Sequence, residues 1–325
     1  MKNDMITGMR TLFLVLVGCF VLVALPTNAQ VGFQTASTIS IESSPRFPEP
    51  GEAVTLSLNA YALGNQNLTI SWYVNGTPQS NFANQRNLSL TAGALGQTTT
   101  VRAEIRDGAS LLTSSHTITP TQIDIIIEAD TTVPAFYQAR ALPSIGSPVR
   151  AVALVDTGKT NGELGYTWSL NNKVIGGGTT RSQNNISFTV PMDPESILGV
   201  TVSDSQGRTI ASESVIVPNA TPEVYFYTDN PLRGLSMSAI GDQYTMLGEE
   251  IDVRAEPFYL ARNIFTTNPY LQWSIDGQVI DNPNPDPQMI TLQNAGGNGS
   301  FNIGFSVRNR SQLLQGTDGR FLLRF

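Results

Sequence analysis

The amino-acid sequence predicts an all-β protein made of three tandem β-sandwiches behind an N-terminal export signal. Three observations lead to this prediction. The chain of 325 residues contains 28 Gly, 19 Pro and only 14% charged residues, which does not fit a coiled coil or a charge-rich disordered protein. A strand with one central tryptophan occurs three times at regular spacing. The first thirty residues have the organisation of a secretory signal.

The N-terminal segment begins with a slightly positive stretch and continues into an apolar run over residues 12–25. Small residues follow and end at Ala29, after which we expect cleavage. The apolar run is shorter than the roughly 20 residues that span a bilayer. Two alternatives stay open: an uncleaved membrane anchor, and a lipid anchor at Cys19, because residues 16–19 look like a bacterial lipobox. Each version places the protein outside the cytoplasm, as a secreted, cell-surface or periplasmic protein.

The repeated strand has an apolar side chain at every second position and ends in a tight turn. Its three copies span residues 68–76, 165–172 and 271–277. Period-two alternation puts the apolar side chains of each copy on one face. The turn dipeptides Asn-Gly, Asn-Asn and Asp-Gly tolerate positive φ at both central positions of a type I′ hairpin. The central tryptophans, which we assign to the structural core, are Trp72, Trp168 and Trp273.

Three further strands keep a matched distance from each tryptophan. The last apolar residue of a second alternating strand follows its tryptophan by 33 or 34 residues, and these residues are Ile105, Val202 and Val307. A shorter alternating stretch lies between the two strands, and a glycine precedes another strand upstream. Four strands in matched register, repeated three times, predict β-sandwich or barrel domains.

These strands resemble those of immunoglobulin-like and PKD-type surface modules, in which a tryptophan on the third strand fills the middle of the core. Residues 200–207, Val-Thr-Val-Ser-Asp-Ser-Gln-Gly, are similar to the sixth strand and turn of these families. The acidic Trp-Asp-Phe-Gly-Asp-Gly turn of PKD modules and the cysteine pair of antibody domains are absent. The resemblance, which extends to exported bacterial surface proteins, covers nearly all of the chain after the export signal. It implies an extracellular spacer, adhesion or binding module.

Domain boundaries follow from the repeat and from two short junctions that contain proline. We expect a signal peptide over residues 1–29 and immunoglobulin-like domains over residues 31–120, 121–218 and 219–325. Short linkers with proline are stiff and extended. The three domains are therefore expected to form a semi-rigid rod.

The loop between the first and second strands is longer in the second and third domains than in the first. These loops contain residues 133–142 and 232–244, which include aromatic residues and methionine. We expect each loop at the C-terminal end of its domain, so that the loop of the second domain faces the third. Their side chains either buttress the chain's own junctions or form a partner surface. The candidate partner surface consists of Phe136, Tyr137, Met237 and Tyr244.

The composition excludes most catalytic and metal chemistry. With one Cys and one His, the chain lacks the residues needed for a thiolate zinc site, for the HExxH motif of metalloproteases or for a disulfide framework. His116 lies on a strand rich in hydroxyl side chains, where we expect it to face solvent. No carboxylate pair stands out for glycoside hydrolysis. Residues 281–286 are the best calcium candidate, but they lack the glycine and distant glutamate of an EF-hand loop. We predict no catalytic residue, no cofactor and no metal.

The sequence therefore favours a non-enzymatic exported spacer, adhesive module or protein-binding module of the cell envelope or surface. The partner is expected to be a protein or cell-envelope component. A net charge of −7 argues against nucleic acid and anionic membranes, which bind basic patches. The alternative is a carbohydrate-binding module, with a secreted hydrolase as the last choice. The third-domain aromatic residues that favour carbohydrate include Tyr225, Phe226, Tyr227, Phe258, Tyr259 and Tyr270.

Overall fold

The structure is a computed structural model that describes residues 38–61, 68–108, 110–157, 161–266, 269–294 and 296–325. The predicted signal peptide and the lipobox cysteine lie outside the described residues. The described ranges contain twenty-three β-strands and three short 3-10 helices, and no α-helix. Within them, no helix has the length and apolar character needed to cross a membrane.

The first sandwich pairs a three-stranded sheet of order β1-β2-β5 with a four-stranded sheet of order β4-β3-β6-β7. Its elements are β1 (Thr38–Ser44), β2 (Ala53–Tyr61), β3 (Thr69–Val74), β4 (Thr77–Pro78), a 3-10 helix (Ser80–Phe82), β5 (Asn87–Thr91), β6 (Thr99–Asp107) and β7 (Ser110–Ile118). All of its strand pairs are antiparallel.

The second sandwich repeats this topology, with sheets of order β12-β9-β8 and β11-β10-β13-β14. Its elements are β8 (Gln122–Ala129), β9 (Pro148–Asp156), a 3-10 helix (Asn161–Glu163), β10 (Gly165–Leu170), β11 (Lys173–Arg181), β12 (Asn185–Thr189), β13 (Ser196–Ser203) and β14 (Thr209–Val217). It differs from the first mainly at β11, which has 9 residues where β4 has 2.

The third sandwich adds a short strand to each sheet, giving the orders β16-β15-β18-β21 and β17-β23-β22-β19-β20. Its elements are β15 (Glu223–Asn230), β16 (Gly234–Leu235), β17 (Gln243–Thr245), β18 (Glu250–Phe258), a 3-10 helix (Arg262–Thr266), β19 (Tyr270–Ile275), β20 (Gln278–Val279), β21 (Met289–Gln293), β22 (Ser300–Arg308) and β23 (Gly316–Arg324). The strand β17 runs parallel to β23.

Each sandwich encloses a separate hydrophobic core around one tryptophan. Trp72, Trp168 and Trp273 are 1%, 2% and 2% exposed, and each lies on the strand that ends in a tight turn. This separation follows from period-two alternation, because the apolar face of each tryptophan strand packs against the facing sheet of its own sandwich. The predicted fold class, an all-β chain of immunoglobulin-like sandwiches, is confirmed.

The three tight turns have the backbone geometry that their sequences predict. Both central residues have positive φ in Asn75-Gly76 (49° and 81°), Asn171-Asn172 (50° and 63°) and Asp276-Gly277 (48° and 78°). Asn, Asp and Gly tolerate this left-handed region better than other residues. The turns fix the register of the short or long strand that follows each tryptophan strand.

Candidate functional site

Phe136 and Tyr137, two residues of the candidate partner surface, contact the third sandwich of the same chain. Both lie half-buried in the loop between β8 and β9. The Phe136 ring meets Tyr227 edge to face at 5.1 Å, and the Tyr137 ring meets Phe258 at 5.4 Å. The Tyr137 hydroxyl also shares a hydrogen bond of 3.0 Å with the Tyr259 hydroxyl. These two residues therefore form part of the contact between the second and third sandwiches.

Met237 and Tyr244 lie in the corresponding loop of the third sandwich. Met237 is 82% exposed, and the same loop also exposes Leu232 and Leu247 almost completely. Tyr244 lies on β17 and packs against the core of the third sandwich. The loop thus presents Leu232, Met237 and Leu247 to solvent, whereas the loop of the second sandwich packs against the third.

A buried glutamine joins the second and third sandwiches. Gln315 lies between β22 and β23 and is 0% exposed. Its Oε1 accepts a hydrogen bond from the backbone N–H of Ala261 at 2.6 Å. Its Nε2 donates to Ser144 Oγ at 3.1 Å and to the Ile145 carbonyl at 2.6 Å. Since Ser144 and Ile145 belong to the second sandwich, one amide satisfies polar groups on both sides of the boundary.

Backbone hydrogen bonds extend this contact beyond the glutamine. Thr132 donates its N–H to the Leu260 carbonyl at 2.7 Å and accepts from the Tyr259 N–H at 2.8 Å. Its hydroxyl donates to the Pro257 carbonyl at 3.2 Å. We call the contact formed by residues 130–145 with residues 257–262 and 315 the 2–3 junction. Its main-chain bonds fix the relative position of two loops, so it resembles a domain interior more than a flexible linker.

Tyr259 has an unusual environment within the 2–3 junction. Its backbone φ is 62°, a conformation that is uncommon for a bulky residue. The hydrogen bond with Tyr137, together with burial, raises the pKa of Tyr259 to about 12. The neutral phenol is therefore the form that the junction favours.

His116 is half-buried between the first and second sandwiches, which differs from the expected solvent-facing position. Its Nε2 lies 3.1 Å from Ser43 Oγ. Burial, and secondarily the charge of Arg46, lowers the pKa of His116. No carboxylate in the described ranges bonds its other ring nitrogen, so a Ser-His-Asp arrangement is not formed there. The cavity beside it has a volume of about 570 Å³ and is lined by threonines and by Asp204 and Arg208.

The six aromatic residues that favoured carbohydrate binding do not share an exposed face. Phe226, Tyr227 and Phe258 are buried. Tyr225 and Tyr270 are 41% and 37% exposed, but they lie on β15 and β19, which belong to different sheets. Exposed rings on one surface are what sugar stacking requires, so this set does not form a stacking platform.

Three side chains of the calcium candidate segment use their oxygens for its own turns and for one ion pair. Asn282 Oδ1 accepts from the N–H of Asn284 at 3.2 Å, and Asn284 Oδ1 accepts from Asp286 at 3.0 Å. Asp286 Oδ1 accepts from Gln288 at 3.0 Å, while its Oδ2 pairs with Arg254 at 2.7 Å. Among the described residues, no group of three or more His, Cys, Asp or Glu could hold a metal ion.

An open cleft of about 560 Å³ lies on one side of the third sandwich, where β21 faces the segment after β20. We call it the lateral cleft. Its floor is apolar and includes Ile275, Ile280, Ile290, Phe301, Leu323 and Phe325. Its rim carries amide side chains, among them Asn294 and Asn298, and its lining contains one charged residue, Asp281. This cleft was not predicted from the sequence. The pattern that could have indicated it is the alternation of proline with Asn or Asp over residues 282–287, which prevents β20 from continuing.

No protein-family model and no curated protein matches the chain. Solved structures with similar arrangements include three N-terminal domains of the bacteriophage RB49 highly immunogenic outer capsid protein (18% identity, TM-score 0.26, 89% of this chain and 98% of that one). Drosophila OTK extracellular domains 3–5 match at 12% identity and TM-score 0.21, over 85% and 92% of the two chains. The Bacteroides ovatus glucan-utilization protein SGBP-B, solved with a mixed-linkage heptasaccharide, matches at 15% identity and a TM-score of 0.20. The match covers 87% of this chain and 70% of that one. Likenesses at these TM-scores do not bear on what this chain binds.

Proposed function

We propose that the chain is a non-enzymatic, exported spacer, adhesive module or protein-binding module of the cell envelope or surface. It would consist of three domains over residues 31–120, 121–218 and 219–325, after a signal peptide over residues 1–29. In this role the chain holds a binding surface at a set distance and orientation from its attachment point. Such a role requires stiff contacts between domains more than it requires reactive side chains.

The 2–3 junction carries this proposal, and Gln315 is its central observation. A flexible linker leaves the facing loops solvated, and relative motion of domains is the ordinary expectation for small polar interfaces. Here a fully buried amide makes three hydrogen bonds across or beside the boundary. Separation of the sandwiches would exchange these hydrogen bonds for bonds to water, and each intramolecular hydrogen bond contributes about 0.5–1.5 kcal/mol net. The junction therefore favours one relative orientation.

Distance measurements between spin labels test this orientation. Nitroxides attached at Ser187→Cys and Gln278→Cys, both on exposed residues, report the distance between the second and third sandwiches by pulsed electron paramagnetic resonance. We expect a narrow distance distribution in the parent chain and a broader one after Gln315→Ala. The matched control is Leu313→Ala, since Leu313 lies in the same loop and is 90% exposed. A distribution that is broad already in the parent chain would remove the spacer role.

The export part of the proposal rests on residues 1–29 and needs its own measurement. Mass spectrometry of the protein recovered from its native cell envelope should find an N-terminus at Gln30. A protein that still begins at residue 1 would indicate the uncleaved membrane anchor instead. A lipid on Cys19 would indicate the lipid anchor. Recovery from the cytoplasm would contradict export.

A further inference from the structure

The lateral cleft lies beside a sheet edge whose backbone groups are unpaired. In an antiparallel pair, alternate residues direct their N–H and C=O to opposite sides of the strand. The Gln288 carbonyl accepts from Ala255, and the Asn294 N–H donates to the Glu249 carbonyl, each at 2.8 Å. The even-numbered residues of this stretch therefore face β18. It follows that Thr291 and Gln293 direct their backbone groups to the other side, towards the cleft that they line.

Met289, the odd-numbered residue before Thr291, shows that a backbone carbonyl on this edge can accept a hydrogen bond from the cleft side. Its carbonyl also faces the cleft side and accepts from Asn282 Nδ2 at 2.8 Å. Within the described ranges, no hydrogen bond reaches the backbone of Thr291 or Gln293 from that side. β21 also contains no charge and no proline, the usual devices that protect an edge strand from a further strand. The edge is therefore open over its central and last residues.

The chain beside the corresponding strand differs in the other two sandwiches. In the second, β11 passes so close to β12 that a Cβ on Gly176 would lie 2.6 Å from Ile186 Cδ1. In the first, Phe82 of the 3-10 helix packs against the core. In the third, β20 ends after 2 residues, and the proline-rich segment leads away. The cleft thus occupies the place where the second sandwich has a strand of its own.

The chemistry of the cleft selects the occupant. An apolar floor with one charged residue favours uncharged apolar side chains, and an open strand edge favours a backbone with free N–H and C=O groups. An extended peptide offers both, because its alternate side chains point to the same face. Glycans lack such a backbone, and aliphatic side chains predominate in the floor.

We propose that the lateral cleft binds an extended, uncharged peptide segment of a partner protein by β-strand addition to β21. The peptide would become the next strand of the β16-β15-β18-β21 sheet, hydrogen bonded to Thr291 and Gln293. Its apolar side chains at alternate positions would fill the cleft above Phe301 and Phe325. This inference refines the binding half of the proposed function and is independent of the spacer role at the 2–3 junction.

A peptide-binding measurement on the chain of residues 30–325 tests the proposal. The probe is a short fluorescent peptide in which valine and threonine alternate, and the control probe has the same composition without alternation. Thr291→Pro removes an edge N–H that β18 does not use and places a proline against the incoming strand. Ser89→Pro and Ser187→Pro are matched controls, since these residues occupy the equivalent position on β5 and β12. Phe301→Ser provides a second variant that alters the cleft and leaves the strand intact.

We expect saturable binding of the alternating peptide by fluorescence anisotropy. Thr291→Pro and Phe301→Ser should each weaken it about tenfold or more, the effect of one or two lost hydrogen bonds or of a lost apolar contact. The control variants Ser89→Pro and Ser187→Pro should bind the peptide as the parent chain does. Circular dichroism should show that all variants are folded.

Three results would overturn the proposal. The first is that both probe peptides bind equally well or that neither binds. The second is an unchanged affinity of folded Thr291→Pro for the alternating peptide. The third is a different occupant: a dimer by light scattering that Thr291→Pro converts to monomer, or an oligosaccharide whose binding is lost in Phe301→Ser. None of these results would affect the distance distribution across the 2–3 junction, so the two proposals fail separately.

Discussion

The indole Nε1 of Trp273 donates a hydrogen bond of 3.0 Å to the carbonyl of Pro287, in the segment that precedes β21. Trp72 makes the equivalent bond to the Gln85 carbonyl at 2.9 Å. In the second sandwich, by contrast, the Trp168 Nε1 is buried and has no partner among the described residues. There the chain continues into the nine-residue β11, which replaces the loop that supplies a carbonyl in the other two. The three indoles share a position but not a hydrogen bond.

Tryptophan-to-phenylalanine substitutions should reveal this difference. All three remove similar volume, but only Trp72→Phe and Trp273→Phe also remove a hydrogen bond. We expect these two to lower the free energy of unfolding by about 1 kcal/mol more than Trp168→Phe does. Differential scanning calorimetry of each full chain measures the effect on the affected sandwich. Equal destabilisation by all three variants would contradict the assignment of the Trp168 Nε1 as unpaired.

The strands and turns around the tryptophans could be predicted from sequence because their determinants are local. Alternation with period two defines the apolar face of a strand, and Asn-Gly or Asp-Gly defines the turn beside it. The unusual length of β11 is less visible, since Gly176, Gly177 and Gly178 all have positive φ and glycine runs ordinarily indicate a loop.

Contacts between sandwiches could not be derived from local patterns. Gln315 bonds Ser144 across 171 residues of sequence, and nothing around either residue indicates that it will be buried. Within the first sandwich, the position of His116 on β7 likewise depends on Ser43 on β1, which lies 73 residues away. The long loops of the second and third domains were visible as insertions, but their different roles depend on which surface each one meets.

Gly319 on β23 should tolerate no side chain. A Cβ at this position would lie 2.8 Å from the Val224 carbonyl oxygen and 3.2 Å from Phe226 Cε2, so the two sheets of the third sandwich would have to separate. We expect Gly319→Ala to destabilise the third sandwich by about 1–3 kcal/mol. Gly241→Ala is the matched control, because no atom lies within 4 Å of its Cβ position. Thermal unfolding should distinguish the two variants, and equal midpoints would refute the close packing at Gly319.

Tyr259 should ionise at a higher pH than an ordinary tyrosine side chain. Its pKa is raised to about 12 from the ordinary value near 10, so the folded chain favours the neutral phenol. This contribution to stability is complete below pH 10 and is lost as the pH rises towards 12. NMR titration of tyrosine Cζ resonances measures the pKa directly. Tyr137→Phe removes the hydrogen bond that is the main cause, and should move the pKa of Tyr259 down; an unchanged pKa would assign the effect to burial alone.

His116 provides a site-specific pH measurement because it is the one histidine of the chain. Burial is the main cause that lowers its pKa below 6.5, with Arg46 as the second cause. The folded state therefore binds this proton less readily than the unfolded state, so the contribution of His116 to stability is complete above pH 6.5 and is lost as the pH falls through the folded pKa. The single imidazole C2–H resonance in an NMR titration should report a pKa below 6.5.

Two variants separate the causes of this shift. Arg46→Ala removes the nearby charge and should raise the pKa of His116 part of the way towards 6.5, because burial remains. His116→Gln should remove this histidine's contribution to the acid-induced loss of stability, while its amide can still reach Ser43. The midpoint of thermal unfolding at pH 7.5 and at pH 5 checks this, with the parent chain as the reference. A His116 resonance that titrates at 6.5 or above would show that burial does not control the protonation of this imidazole.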